Sequence, residues 1–230
     1  MSSMIYPPGF KPGCNPRVST PGHFFPMASE RVTIIDRKDW PKYAGKVSLV
    51  PFVKKILNQG NVGSCATEAT AQAVMIAEAF AGMPFTLLNP WFIYYHTSGG
   101  RDTGSSIDEN LKFAMEYGIA SEAVWPRSMG WQRKPSKEAY EDAKKHRIHE
   151  AFDVSSVEEM VSCEFDAYAI VHGAKGHAII DVEHGETAPK IANSWDVTWG
   201  EKGFGKWCRY DQINWSYGSF AVRVGTIGGI

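Results

Sequence analysis

Apolar residues change their spacing along this chain, and the changes divide it. Residues 1–31 show no apolar period and are rich in Pro and Gly, so they predict an extended arm rather than a core element. From Ser64 to Ala81 the apolar positions Ala66, Ala69, Ala73, Ile76, Ala77 and Phe80 recur at three and four, the spacing of a helix, and Gly82 and Pro84 stop it. A second helix is predicted over Ile107–Tyr117. Ser106 is its expected N-cap, Asp108 and Glu109 lie in its first turn, and Gly118 follows its end. Residues 135–151 read as a polar surface helix with solvated His146 and His149, and residues 155–162 as a short capped helix. After Phe165 the runs "YAIVHG", "GHAIIDVEHG", "PKIANSW" and "FAVRVGTI" are short, β-branched or aromatic, and punctuated by Gly or Pro. A helical first half followed by a strand-rich second half predicts an α+β chain of two lobes, with a cleft between them as the natural place for a site. No internal repeat is visible. The expected organisation is an arm over 1–31 and one domain over 32–230.

Composition narrows the function classes. The chain has 230 residues with 24 basic against 25 acidic side chains, so net charge gives no case for a nucleic-acid partner. No apolar run approaches the roughly 18 residues of a membrane span, and the first residues lack the apolar segment of a signal peptide. Cys14, Cys65, Cys163 and Cys208 are too far apart for a CxxC pair. Free thiols and a cytoplasmic setting are expected, with no metal and no cofactor. His172, His177, His184 and Cys163 lack ligand spacing.

One constellation carries chemistry. Cys65 stands where the first helix begins, and free N–H groups at a helix start favour a thiolate. A nucleophilic thiol needs an imidazole. In "GHAIIDVEHGETAPKIANSW" two strand-like runs flank a turn near Gly185, and a hairpin centred there sets His177 directly opposite Asn193. An Asn oxygen there would accept one imidazole N–H and leave the other nitrogen for the thiol. Gln59, six residues before Cys65, could offer its amide N–H beside the Cys65 backbone N–H as oxyanion donors. Each part alone has a plain reading: a small buried cysteine, a core histidine, a polar turn residue.

Together these residues resemble the papain-like cysteine peptidases. "NQGNVGSCATEA" is similar to the family's nucleophile segment, "KGHAIIDVEHG" to its histidine strand and "IANSWDVTWGEKGFGKW" to its asparagine segment. "DTGSSIDENLKFAMEYGIASEAVWP" is similar to the substrate strip and the helix after it. The resemblance runs in order over about residues 32–224. It implies a two-lobed fold, a helical N-terminal lobe and an antiparallel β-sheet or barrel-like C-terminal lobe with the cleft between them. It implies Cys65 as nucleophile, His177 as base then acid, Asn193 as its orienter and Gln59 as oxyanion donor. Trp195 would shield the His–Asn pair, with Trp199 nearby. Gly63, Ser64, Gly104, Ser105, Ser106 and Gly176 would line the substrate cleft.

The departures carry information. Val62 stands where the family has a half-cystine, Ala66 replaces an aromatic after the nucleophile, and Asp196 replaces a glycine. Lys175 lies near the expected specificity pocket. His177 and Asn193 follow Cys65 more closely than the family's roughly 130–150 residues, so the second lobe is trimmed. The arm is too short and Pro-rich for the family's helical propeptide. It is expected either to pack along its own domain, with the cleft as one place for it, or to reach a protein partner or neighbouring subunit. The implied function is peptide-bond hydrolysis on a peptide or protein substrate. A second reading is a structural or adaptor component of a larger assembly, such as a virus particle, that keeps the fold. No nucleic acid and no membrane are expected as partners.

Overall fold

The computed structural model describes residues 6–223. Its helices are α1 (Cys65–Phe80), α2 (Pro90–Thr97), α3 (Ile107–Glu116), α4 (Lys137–Ala143) and α5 (Val157–Phe165). Its strands are β1 (Cys14–Asn15), β2 (Ser105–Ser106), β3 (Glu150–Asp153), β4 (Ala169–Ala174), β5 (His177–Glu183), β6 (Lys190–Ala192), β7 (Phe204–Gly205) and β8 (Ser219–Arg223). The expected α+β order is therefore observed. The part of the "FAVRVGTI" run beyond Arg223 lies outside the described residues.

α1 is the axis of the molecule. It packs on β4, β5 and β8 on one side and on α2 and α3 on the other. Residues 65–78 are buried without interruption. A helix enclosed on every side needs small side chains for close approach, and Ala66, Ala69, Ala71, Ala73 and Ala77 supply them. Asn89 caps α2 by accepting the Trp91 N–H at 2.9 Å, and Pro90 begins it. Ser106 occupies the N-cap position of α3, but its hydroxyl turns to Glu109 Oε2 instead of a backbone N–H.

The second lobe is one antiparallel sheet of six strands in the order β3-β8-β4-β5-β6-β7. This is the expected antiparallel sheet, and the outer side of β3 is met by a bridge between Asp153 and Met27. β4 and β5 are joined by Lys175 and Gly176, both at positive φ. That is the two-residue turn whose twist matches paired strands, and it keeps Lys175 exposed beside the cleft.

Three expectations are corrected. The predicted helix over 135–151 ends at Ala143, and its tail becomes β3, the partner of β8. His146 is buried, its Nδ1 2.8 Å from Glu78 Oε1, because the chain turns inward after α4. The β5–β6 register pairs Ile180 with Ala192 and shifts between Asp181 and Glu183, so His177 and Asn193 are not directly opposite. The Asn193 side chain reaches the histidine all the same, its Oδ1 2.7 Å from Nε2.

Candidate active site

The helix start and the sheet meet at Cys65. It is the first residue of α1 and is fully buried. Backbone hydrogen bonds reach its thiol from Ala178, the neighbour of His177, and from Gly13 and Ala66. Burial pushes the thiol up to about 12, and those bonds only partly oppose it.

His177 opens β5 and is also fully buried. Its Nε2–H donates to Asn193 Oδ1 at 2.7 Å, while Nδ1 has no partner among the described residues. This is the tautomer that leaves Nδ1 able to take a proton. Trp195 stacks on the imidazole at 4.5 Å between centroids, and Trp207 approaches edge-on at 5.4 Å. Burial drives the imidazole down to about 4 against the pull of Asn193. Burial thus disfavours both the thiolate and the imidazolium in the closed site.

Gln59 is fixed at three points. Its N–H donates to the Ser194 carbonyl at 3.0 Å, and its Oε1 accepts from Ser194 Oγ at 3.0 Å. Its Nε2 donates to the Val62 carbonyl at 2.9 Å and to the Lys11 carbonyl at 3.2 Å. An amide expected to hold an oxyanion thus holds a carbonyl oxygen of the chain's own arm.

That contact is one of a series, for the arm fills the cleft. Phe10 meets the edge of His177 at 5.3 Å and of Trp195 at 4.8 Å, and Tyr6 stacks on Phe10. Gly13 and Cys14 donate their N–H groups to the Gly176 carbonyl at 3.1 and 3.0 Å. Ser105 N–H donates to the Gly13 carbonyl at 3.0 Å, and β1 pairs in parallel with β2. The fit is backbone against backbone. A Cβ on Gly13 would lie 1.9 Å from the Gly63 oxygen, and one on Gly104, at φ +83°, 2.6 Å from the Gly13 oxygen. Side chains add clips. Lys11 Nζ pairs with Asp102 at 2.6 Å, and Arg17 with the buried Asp153 at 2.7 Å. Asp108 accepts the Ser19 N–H and hydroxyl at 2.8 and 2.7 Å. Burial pushes the Asp102 carboxyl up, but bonds from Lys11, Tyr94 and Gly63 outweigh it and hold it below its ordinary value.

The positions assigned to the cleft can now be compared with their surroundings. Gly63, Gly104, Ser105, Ser106, Gly176, Trp195 and Gln59 all touch or pair with the arm. Ser64 does not: its hydroxyl turns inward to Glu68 at 3.1 Å and receives Trp91 Nε1–H at 3.2 Å. Trp199 meets Trp195 edge-on at 5.7 Å. Asp196 adopts φ +69°, the left-handed region its glycine counterpart favours, and bonds Val197 N–H through its own carboxylate. Sequence reasoning missed Tyr94, Asp102, Glu68 and Arg127. Asp102, Glu68 and Arg127 act through partners distant in sequence, Tyr94 bonds Asp102 and Gly104 across a loop, and no local pattern announces them. Among the described residues no group of three or more His, Cys, Asp or Glu is placed to hold a metal ion, and no helix is long and apolar enough to cross a membrane.

A helical lobe and an antiparallel sheet meeting at a cysteine and an Asn-bonded histidine define the papain-like cysteine protease fold, and comparison with solved structures agrees. Xylellain, a cysteine protease from Xylella fastidiosa, superposes with a TM-score of 0.72 at 20% identity, covering 93% of this chain and 96% of that one. Digestive procathepsin L 3 of Tenebrio molitor larval midgut gives 0.63 at 16% identity over 77% of this chain and 69% of that one. In sequence, an uncharacterized peptidase C1-like protein of Acanthamoeba polyphaga mimivirus is 32% identical over 106 residues, 43% of this chain. The match spans 34% of that relative's length. No protein-family model matches the chain.

Proposed function

We propose that the protein is a cysteine peptidase held latent by its own N-terminal arm. The observation that carries this reading is the arm itself. The backbone groups that line the cleft already grip a peptide, and Gln59 Nε2 already holds a peptide oxygen at 3.2 Å.

With the arm displaced, water and substrate enter, and the burial that keeps Cys65 and His177 neutral is relieved. His177 Nδ1 takes the Cys65 proton. The thiolate attacks a peptide carbonyl carbon, forming a C–S bond. The resulting oxyanion is held by Gln59 Nε2–H and the Cys65 N–H. Imidazolium His177 protonates the leaving nitrogen as the C–N bond breaks, which leaves a thioester. His177 then takes a proton from water, whose oxygen attacks the thioester, and returns it to the thiol. Asn193 holds the ring in the tautomer these transfers need, and Trp195 excludes water from that hydrogen bond.

Phe10 is the arm residue that covers His177, so Phe10→Ala in the full-length chain tests the reading. Hydrolysis of a fluorogenic peptide library by this variant, lost in the Phe10→Ala, Cys65→Ala double variant, is the expected result. A well-folded Phe10→Ala chain that cleaves nothing under reducing conditions contradicts it.

A further inference from the structure

A charged cluster that this reaction does not use lies behind the oxyanion residue. Glu68 sits one turn along α1 from Cys65, and its side chain is 0% exposed. Its Oε1 accepts from Ser64 Oγ at 3.1 Å and its Oε2 from Arg127 Nη2 at 2.6 Å. The same guanidinium donates through Nη1 to the Asn58 carbonyl at 2.8 Å and through Nε to Glu122 Oε1 at 3.0 Å. Glu122 Oε2 also accepts the Arg127 backbone N–H at 2.8 Å. The guanidinium lies over the Trp91 ring, 5.4 Å from its centroid.

We propose that Arg127 is a positioning residue that sets the oxyanion donor Gln59 against the nucleophile Cys65. The Asn58 carbonyl and the Gln59 N–H belong to one peptide plane. Arg127 holds that plane by its oxygen and Ser194 holds it by its N–H. The other end of the Arg127 bridge is Glu68, on the same helical turn as Cys65. One rigid, planar group therefore spans the gap between the loop that carries the oxyanion donor and the helix that carries the thiol. A lysine offers a single point charge and cannot reproduce three donors in a fixed fork.

The bridge has an electrostatic side. Burial pushes the Glu68 carboxyl up from its ordinary value and Arg127 opposes this, so the guanidinium stabilises its charged form. A bare carboxylate beneath Cys65 would disfavour the thiolate. The groups that face Cys65 are Cys14 from the arm, Tyr94 from α2 and Glu68 from α1, with the backbone of Ala178, the neighbour of His177, bonded to its thiol. Asp102 and Lys11 stand behind Tyr94, and Arg127 and Glu122 behind Glu68. Of these, Arg127 is the cation bonded to Glu68.

The inference rests on the peptidase reading for its kinetic arm only. The test uses the full-length Phe10→Ala chain as parent, with Arg127→Gln, Arg127→Lys and Glu68→Gln/Arg127→Gln added to it. Four quantities are read: kcat and KM for a cleaved peptide, the pH midpoint of Cys65 alkylation by iodoacetamide, and hydrogen exchange of the Gln59 amide. Arg127→Gln should lower kcat about ten- to a hundredfold with KM within about twofold, as expected when a donor shifts by a fraction of an ångström. It should raise the alkylation midpoint by about half a pH unit, since an unbalanced carboxylate disfavours the thiolate. It should also speed exchange of the Gln59 amide. Arg127→Lys should keep the parent midpoint but not the parent kcat. The double variant should return the midpoint to the parent value and leave kcat low and Gln59 exchange fast, because the Asn58 tether is still missing. Recovery of kcat and of Gln59 protection in the double variant overturns the proposal, since Arg127 would then serve only as a countercharge. Parent-like midpoint and exchange in Arg127→Gln overturn it as well. If Arg127→Gln does not fold, the lysine and double variants decide. If the parent cleaves no peptide, the peptidase reading fails, and the midpoint and the Gln59 exchange still decide this one.

Discussion

α1 and the arm both close the same cleft, and they do so by opposite means. α1 is sealed by packing: alanines, Val74, Met75 and Ile76 enclosed by sheet and helices. The first stretch of the arm, residues 6–19, is held by backbone hydrogen bonds, by the ion pairs Lys11–Asp102 and Arg17–Asp153, by aromatic contacts of Tyr6 and Phe10 with Trp195, Trp207 and His177, and by the buried Cys14. Displacing α1 would return its apolar surface to water at about 25 cal/mol per Å², whereas hydrogen bonds of about 1 kcal/mol each exchange readily with water or with another peptide. One region is therefore the floor of the site, and the other is the part proposed to separate from it. The boundary between them falls inside the Pro-rich segment. Phe25 and Ala28 anchor the later part of that segment in the hydrophobic cores, to which the earlier part contributes Cys14.

The contrast can be broken at four points, in falling order of effect. Ile76→Ala removes a fully buried side chain from α1. It should cost about 2–5 kcal/mol of global stability in denaturant unfolding, with hydrogen exchange of residues 10–15 retaining its protection relative to the core. Acid acts on the closed site next. His177 is held near 4, below its ordinary value, and Asp102 is also held low. A lowered folded-state value means stability that is complete above the ordinary value and lost as pH falls through the folded one. Between about pH 6.5 and 4, His177 alone should withdraw about 3 kcal/mol from the closed form. Exchange of the arm amides, corrected for intrinsic rate, should therefore accelerate on acidification, and pH-independent protection would refute the assignment. Phe10→Ala removes a half-buried ring worth about 1–2 kcal/mol. It should expose Cys65 to small thiol reagents about tenfold faster with little change in the unfolding midpoint. Lys11→Ala should be smallest, below about 1 kcal/mol, because its pair with Asp102 is 43% exposed on the lysine side. Its effect should vanish in high salt.

The same division explains what was legible in the chain. Segments whose meaning is local could be read. The period of α1, the Gly stop after it, the short β-branched strands and the four chemical residues Gln59, Cys65, His177 and Asn193 are visible as pattern or as ordered motif. The His177–Asn193 pair was foreseen, though through a register that the bulge near Asp181 changes. What depends on distant partners was not legible. The tail of the predicted 135–151 helix became β3 because β8 offered it an edge, and tertiary pairing overrides local propensity. His146 looked solvated until Glu78, on α1, turned out to be its partner. The arm carries the plainest case. Its Pro and Gly content states that it is extended, but only Gly63, Gly104 and Gly176, brought together by the fold, state where it lies.

The central claim is that Cys65 is a working nucleophile whose access is controlled by residues 6–19. The most direct measurement is the rate at which an epoxide inhibitor of papain-like enzymes labels the protein, read by mass spectrometry on the intact chain and on a chain lacking its first 15 residues. Labelling is expected at Cys65 alone, at least about tenfold faster in the shortened chain, on the scale of the roughly 1.4 kcal/mol or more that the arm contributes. No labelling is expected in Cys65→Ala. Equal rates in the two chains, or no modification of Cys65 in a shortened chain that remains folded, would contradict the claim.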